Sequence, residues 1–346
     1  VKFTKSEYIW LDGATPAALR CKTRILPYME EAKLDSFPEW GYDGSSTYQA
    51  QGHASDLVLK PVHFINDPLR GQGHYLVLCE VFDEQGNPHE SNTRAKLRKV
   101  LDAGGQNHEP WVGFEQEYTF FSGHGTPLGW PQKGYPKPQG PFYCSVGSET
   151  AFGRKIVERH ADACIAAGIC IYGINAEVMP GQWEFQIGYR GIEGESVDPL
   201  TISDHVWLAR WLIHRIAEDE NVSVSFDAKP VKGDWNGAGM HTNFSVKETR
   251  EQGGLEFIHQ AIKSLEEKHM EHIEVYGYGL EERLTGLHET CHITEFKSGV
   301  SDRGASIRIP LHVKAKGHGY FEDRRPSANA DPYQVSQRLV QTVCNL

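Results

Sequence analysis

Glu115 and Glu117 stand two residues apart in the run Trp111-Val-Gly-Phe-Glu-Gln-Glu-Tyr-Thr-Phe-Phe121. The run alternates with the period of a strand. Val112, Phe114, Tyr118 and Phe120 share one face, and Glu115, Glu117 and Thr119 share the other. Two carboxylates on one face of so apolar a strand repel each other unless a cation neutralises them. Hard oxygen ligands suit Mg²⁺ or Mn²⁺. Three further segments repeat the pattern. Asn175 to Gly188 folds back at Pro180-Gly181, and a hairpin centred on that pair sets Glu177 directly opposite Glu184. L-Pro-Gly is not the favoured two-residue hairpin turn, so a wider loop is an alternative. In His241-Thr-Asn-Phe-Ser-Val246, Thr242, Phe244 and Val246 take one face and His241, Asn243 and Ser245 the other. Arg308 alternates with Ile307 and Ile309.

Four strands with one apolar face and one face of Glu, His, Asn and Arg assemble most simply as an antiparallel sheet, with helices on the dry side and a concave polar bed on the other. Helices are predicted over residues 94–103, 153–167, 201–218, 255–270 and 333–343. The last has Asp331 as N-cap and Pro332 in its first turn. Residues 123–141 are rich in Gly and Pro and read as a long loop. Ahead of this part, Tyr8-Ile-Trp-Leu11, Leu19 to Ile25 and Tyr75 to Phe82 read as strands. The domain boundary is placed near residue 90, giving domains 1–90 and 91–346.

The chain has 346 residues, 39% hydrophobic and 23% charged, an ordinary balance for a globular protein. Its apolar runs are too short for a membrane span. A net charge of −11 argues against a nucleic-acid partner, yet local arginines can still receive phosphates. The seven Cys are scattered without Cys-x-x-Cys spacing, as expected of reduced thiols in a cytoplasmic protein. No signal peptide is visible from Val1 to Lys5, and a leader removed before residue 1 stays open. Neither common glycine-rich nucleotide loop is present.

The motifs Trp40-Gly-Tyr-Asp-Gly-Ser-Ser46, Gly113-Phe-Glu-Gln-Glu-Tyr118 and Asn236-Gly-Ala-Gly-Met-His-Thr-Asn-Phe-Ser245 occur in order. With them stand residues 175–188, Arg283-Leu-Thr-Gly286, Asp302-Arg-Gly-Ala-Ser-Ile-Arg-Ile-Pro310 and residues 320–329. Together they span most of the chain, which on these residues resembles glutamine synthetase, in the short form usual in eukaryotes. The resemblance implies an α+β fold: an N-terminal β-grasp domain, then a catalytic domain with a curved antiparallel sheet backed by helices. It implies synthesis of glutamine from L-glutamate, ammonia and ATP through a γ-glutamyl phosphate, with two or three Mg²⁺ or Mn²⁺ ions per site. Glu117, Glu177 and Glu184 resemble the ligands of the metal nearer glutamate. Glu115, His241 and Glu322 resemble those of the metal on the ATP phosphates, and Glu184 is also counted among the cofactor-binding residues. Arg303 and Arg308 match arginines that touch the transferring phosphate and the nucleotide, and Arg324 one that contacts the substrate carboxylate or phosphoryl group. Arg283 precedes a flap-like loop and, with Asn236 and Gly237, is placed at the glutamate site. Asn243, Ser245 and Tyr320 match nucleotide contacts.

Asp43 and Glu289 match acids that bind ammonium and help to deprotonate it. Only free ammonia attacks, so a carboxylate on a closing loop is a suitable proton acceptor. The family takes Asp43 from the neighbouring subunit, which implies a homo-oligomer with shared sites, typically two stacked pentamers. Asp234-Trp235 and Met240 depart from the family's usual residues beside His241, and the stretch His288 to His292 is unusually rich in His. A glutamate–amine ligase of the same fold would keep the metal ligands and lose the ammonium acids. A catalytically inactive structural relative would have lost ligands. All of these residues are present here.

Overall fold

A computed structural model describes residues 2–346. The first sheet holds β1 (Phe3–Leu11), β2 (Leu19–Pro27), β3 (Trp40–Asp43), β4 (Asp56–Asn66) and β5 (Tyr75–Phe82) in the order β2-β1-β5-β4-β3. β1 and β5 run parallel; the other pairs are antiparallel. This is a β-grasp arrangement. β5 reads as an almost unbroken apolar run because both its faces are covered. Val77, Cys79 and Val81 pack with Tyr8 and Trp10 on one side, while Leu76 and Leu78 join the large core of the following region. Glu80, the one acid in this strand, is buried and receives Arg94 Nη1 at 2.9 Å. Arg94 also grips Asp204 through Nε and Nη2 at 2.8 and 2.9 Å, so one guanidinium ties the first sheet to the helix behind the second.

The second sheet is built from β6 (Trp111–Ser122), β7 (Ile171–Ala176), β8 (Gln182–Ile187), β9 (Val222–Ser225), β10 (Met240–Ser245), β11 (Ser298–Val300), β12 (Ile307–Ile309) and β13 (Phe321–Asp323). Its order is β11-β12-β13-β10-β6-β8-β7, with β9 on the far half of β6. All neighbours are antiparallel except β11 and β12. The helix Pro199–Glu218 covers the dry face. Asp198 accepts from the Leu200 and Thr201 N–H groups, and Pro199 needs no N–H partner there. The helix Pro332–Val343 starts the same way, its Asp331 cap accepting from Tyr333. The helices Thr93–Asp102 and Arg154–Ala166 lie within about two residues of their expected positions.

Two expectations need correction. The helix expected over 255–270 ends at Glu267, and after a break at Lys268 the short helix His269–Ile273 follows. The hairpin expected to oppose Glu177 and Glu184 has another register: Asn175 faces Glu184, and the Glu177 N–H bonds the Gln182 carbonyl. The Pro-Gly turn does form. Gln182 N–H donates to the Met179 carbonyl and Gly181 has φ of +76°, the geometry of a type II turn with Pro at its second position. Val178 and Met179 are extra residues on the first arm, and the Val178 carbonyl is taken by Gly140 N–H from the long loop. A two-residue shift preserves side-chain facing, so Glu177 stays on the same side as Glu184.

Candidate active site

Strand register alone sets out most of the site. On β6, Glu115 lies opposite His241 of β10, and Glu117 lies opposite Glu184 of β8. On β13, Glu322 is flanked by Asn243 of β10 and Arg308 of β12. Gln116, Phe114 and Tyr118 are fully buried on the dry face, as the alternation requires. Thr119, assigned to the wet face, is fully buried too, under the edge where β9 joins.

Two triads result. Glu115, His241 and Glu322 form one, and Glu117, Glu177 and Glu184 the other; within each triad the ligand atoms lie within 4.8 Å of one another. Their surroundings differ. In the first, Glu322 receives Arg308 Nη1 and Arg324 Nη1, both at 2.6 Å. Glu115 receives Asn243 Nδ2 at 2.8 Å. His241 Nδ1 lies 3.4 Å from Glu322 and 3.7 Å from Glu115, and its Nε2 is 3.1 Å from Arg283 Nη2. Burial, with Arg324 next, holds the imidazole pKa well below its usual value, so it is neutral and fit to ligate.

The second triad is held by neutral donors. Gly239 N–H bonds Glu117, Asn175 Nδ2 bonds Glu177 at 2.9 Å and Gln186 Nε2 bonds Glu184 at 2.5 Å. Burial raises all three carboxyl groups above their ordinary range. Repulsion adds to this: Glu117 helps to lift Glu177 to about 8, and Glu115, Glu177 and Glu117 act together on Glu184. Crowded acids that resist ionisation mark a place for a cation.

The other expected residues surround these triads unevenly. Arg324 is buried and donates Nε to the Arg303 carbonyl at 3.0 Å, while Arg303 itself is exposed. Arg283 is buried, with Nη1 and Nη2 on the carbonyls of Arg325 and Arg324. Its side chain also crosses two glycines closely. A Cβ on Gly237 would lie 2.7 Å from Arg283 Cγ, and one on Gly239 2.4 Å from Nη2. Asn236 is clasped at both ends by Gln139, N–H to Oε1 and Oδ1 to Nε2, each at 2.8 Å. Gln139 Nε2 also lies 3.3 Å from His288 Nδ1, whose Nε2 is 3.1 Å from Asp234. Three loops therefore meet beside Glu289. That residue is exposed, has φ of +60°, and adds to the upward pull on Glu177. Asn243, Ser245 and Tyr320 line a cavity of about 370 Å³ with Trp111, Tyr189 and Arg250. Arg250 stacks on Trp111 at 4.1 Å and donates to Ser245 Oγ at 3.0 Å.

Asp43 stands apart. It ends β3, is exposed, and is hydrogen-bonded to Ser45 and Ser46, whose donors hold its carboxyl down at about 2. Sequence reasoning missed Gln139 and the stack of Arg250 on Trp111, pairs far apart along the chain, although Arg250 stands only five residues from Ser245. It gave no site role to Asn175 or to Gln186, although Gln186 alternates onto the polar face with Glu184 and each is two residues from a triad member. Trp130 packs on Trp235 with ring centroids 5.3 Å apart.

A β-grasp sheet leading into a curled, carboxylate-floored sheet defines a catalytic unit of the kind that handles anionic substrates with divalent ions. The glutamine synthetase β-grasp domain family matches residues 2–84, and the glutamine synthetase catalytic domain family matches residues 90–258. The chain is 55% identical to a glutamine synthetase of Streptomyces viridochromogenes, covering 99% of this chain and 97% of that one. It is 52% identical to the Gallus gallus glutamine synthetase, over 97% of this chain and 88% of that one. The chain belongs to the glutamine synthetase family. Among solved structures, the Plasmodium falciparum glutamine synthetase superposes with a TM-score of 0.76 at 17% identity, covering 99% of this chain and 71% of the other. A protein titled GmaS, without ligand, superposes at 0.74 and 18% identity, covering 98% and 77%. At those identities the likeness is one of fold.

Proposed function

We infer that this chain is an ATP-dependent glutamate–ammonia ligase that makes glutamine through a γ-glutamyl phosphate. One observation carries the reading: an arginine-braced triad beside a triad held by neutral donors, on a single strand face. The donor sets fit hard divalent ions. Glu117, Glu177 and Glu184 would hold one, and Glu115, His241 and Glu322 another. Bound there, Mg²⁺ or Mn²⁺ supplies the positive charge that lets a carboxylate approach a triphosphate.

The chain's own side chains do the rest. Arg303, Arg308 and Arg324 offer planar forks to phosphate and carboxylate oxygens. Asn243, Ser245 and Tyr320 seat the nucleotide, supported by the cavity they line. Asn236, Gly237 and Arg283 seat the amino-acid end of glutamate, held in shape by Gln139. Glu289 accepts the proton that ammonium loses, and its loop shields the acyl phosphate from water.

Asp43 attracts ammonium in a neighbouring subunit's site. Its exposure and purely local bonding support that division of labour. Stacked pentamers with sites at their subunit contacts are the assembly we favour. The division into domains 1–90 and 91–346 is supported by the two separate sheets. No helix among the described residues is long and apolar enough to cross a membrane. The seven free thiols favour a reducing, cytoplasmic setting. The test is phosphate release from ATP with glutamate and ammonia, hydroxylamine or ethylamine. Ammonia and hydroxylamine should support turnover; a preference for ethylamine would refute the substrate assignment.

A further inference from the structure

Behind the triads, on the dry face of the second sheet, a charged side chain is withdrawn from water with only neutral acceptors. Arg210 lies within the helix Pro199–Glu218 and is 2% exposed. Its Nε and Nη2 donate to Gln116 Oε1 at 2.8 and 2.5 Å. Nη2 also reaches the carbonyls of Ala328 and Ala330, each at 2.9 Å, and lies 3.3 Å from Met240 Sδ. The guanidinium sits 4.5 Å above the Trp207 ring. Gln116 passes the contact on, donating Nε2 to the carbonyls of Glu117 at 2.9 Å and Ala328 at 3.0 Å.

Each of these acceptors belongs to a segment that carries triad residues. Gln116 stands between Glu115 and Glu117, Met240 precedes His241, and Ala328 and Ala330 follow Glu322 and Arg324 along the chain. A buried guanidinium with no carboxylate bonded to it carries a large desolvation cost, and Asp331 offsets part of it only through space. A Met or Leu would fill the same core without that cost. Burial pulls the Arg210 pKa down to about 9, so the position is strained electrostatically as well.

We propose that Arg210 is a positioning residue, which through Gln116, Met240 and the Ala328 and Ala330 carbonyls fixes the spacing of three segments that together carry Glu115, His241 and Glu322 of one triad and Glu117 of the other. The inference rests on the reading that those triads hold divalent metals. It also gives the Met240 thioether a place against the guanidinium.

The test is Mn²⁺ binding to the assembled, metal-stripped protein by calorimetry, alongside thermal unfolding, for Arg210→Lys, Gln116→Met and Val157→Ala. Val157 is fully buried on the helix Arg154–Ala166, away from Arg210's contacts, and serves as a control for plain core damage. Gln116→Met and Arg210→Lys should each weaken Mn²⁺ binding about tenfold or more, as loss of a ligand's supporting partner does. Val157→Ala should lower the melting temperature and leave Mn²⁺ affinity unchanged. Folded variants that bind Mn²⁺ within twofold of the parent would overturn the proposal. So would failure of Gln116→Met to fold, which would make the contact a requirement of the core and not of the site. If the parent itself takes up no Mn²⁺, it is the metal reading that fails.

Discussion

Replacing Glu184 by Gln removes one of three crowded carboxylates that repel one another when no cation is present. Two properties should then move in opposite directions. Turnover should fall by about a hundredfold or more, since loss of a ligand's supporting partner alone costs about 10–100-fold. The metal-stripped protein should melt higher, by about 1 kcal/mol of added stability, because an active site of this kind trades stability for function. Activity assays and melts in chelator check both; a stripped variant that melts lower would contradict the account. Glu289→Ala separates the chemical steps. Phosphate transfer to glutamate should persist while amide formation slows, as rapid-quench measurement of acyl phosphate against glutamine would show, and equal loss of both would deny Glu289 its proton. At this scale the sequence was highly legible. Period-two alternation put Glu115, Glu117, His241 and Arg308 on one face, and the structure keeps them there. Gln139 was invisible because its partners, Asn236 and His288, lie 97 and 149 residues away.

Elements bring these side chains into register, and their loops hold the margins. Gly237 shows how little slack there is: a Cβ would lie 2.6 Å from the Ala228 carbonyl and 2.7 Å from Arg283 Cγ. Backbone cannot yield as a side-chain tip can. Gly237→Ala should therefore cost about 1–3 kcal/mol of stability and displace Arg283. A raised KM for glutamate together with a lower melting temperature is the expected outcome, and wild-type values for both would contradict the packing described. The start of the last helix was readable because Asp331-Pro332 carries its own capping chemistry; the same signal at Asp198-Pro199 was passed over, and that helix begins two residues before the expected 201. The Glu177 register was not, since it depends on Gly140 taking the Val178 carbonyl, a tertiary contact. The short edge strand β9 and the β3–β4 pair were missed for a like reason. β9 alternates cleanly but, like β3, is only four residues long, and pairing with β6, β4 and β5 defines these strands.

Over the whole molecule, charge balance links fold to function. In the metal-free protein Glu117, Glu177 and Glu184 keep protons that the unfolded chain releases near pH 4.3. Stability from these raised groups is present at low pH and is lost as pH climbs through their folded values, about 8 for Glu177. Between pH 7 and 9 the stripped protein should thus lose melting temperature, and added Mn²⁺ should restore it, more at pH 9 than at pH 7. Glu177→Gln should flatten the slope, and a stripped protein equally stable across that window would argue against the crowded acids. Assembly enters through Asp43, which the β-grasp sheet presents outward. Mixed rings of Asp43→Ala and Glu115→Ala subunits should regain part of the activity that each variant alone lacks. No recovery in demonstrably mixed rings would refute sharing between subunits.

The most direct measurement is an anomalous difference map at the manganese edge, from crystals grown with Mn²⁺ and a non-hydrolysable ATP analogue. The account predicts one peak among Glu115, His241 and Glu322 and another among Glu117, Glu177 and Glu184. A map with nucleotide present and no manganese at either triad would contradict it.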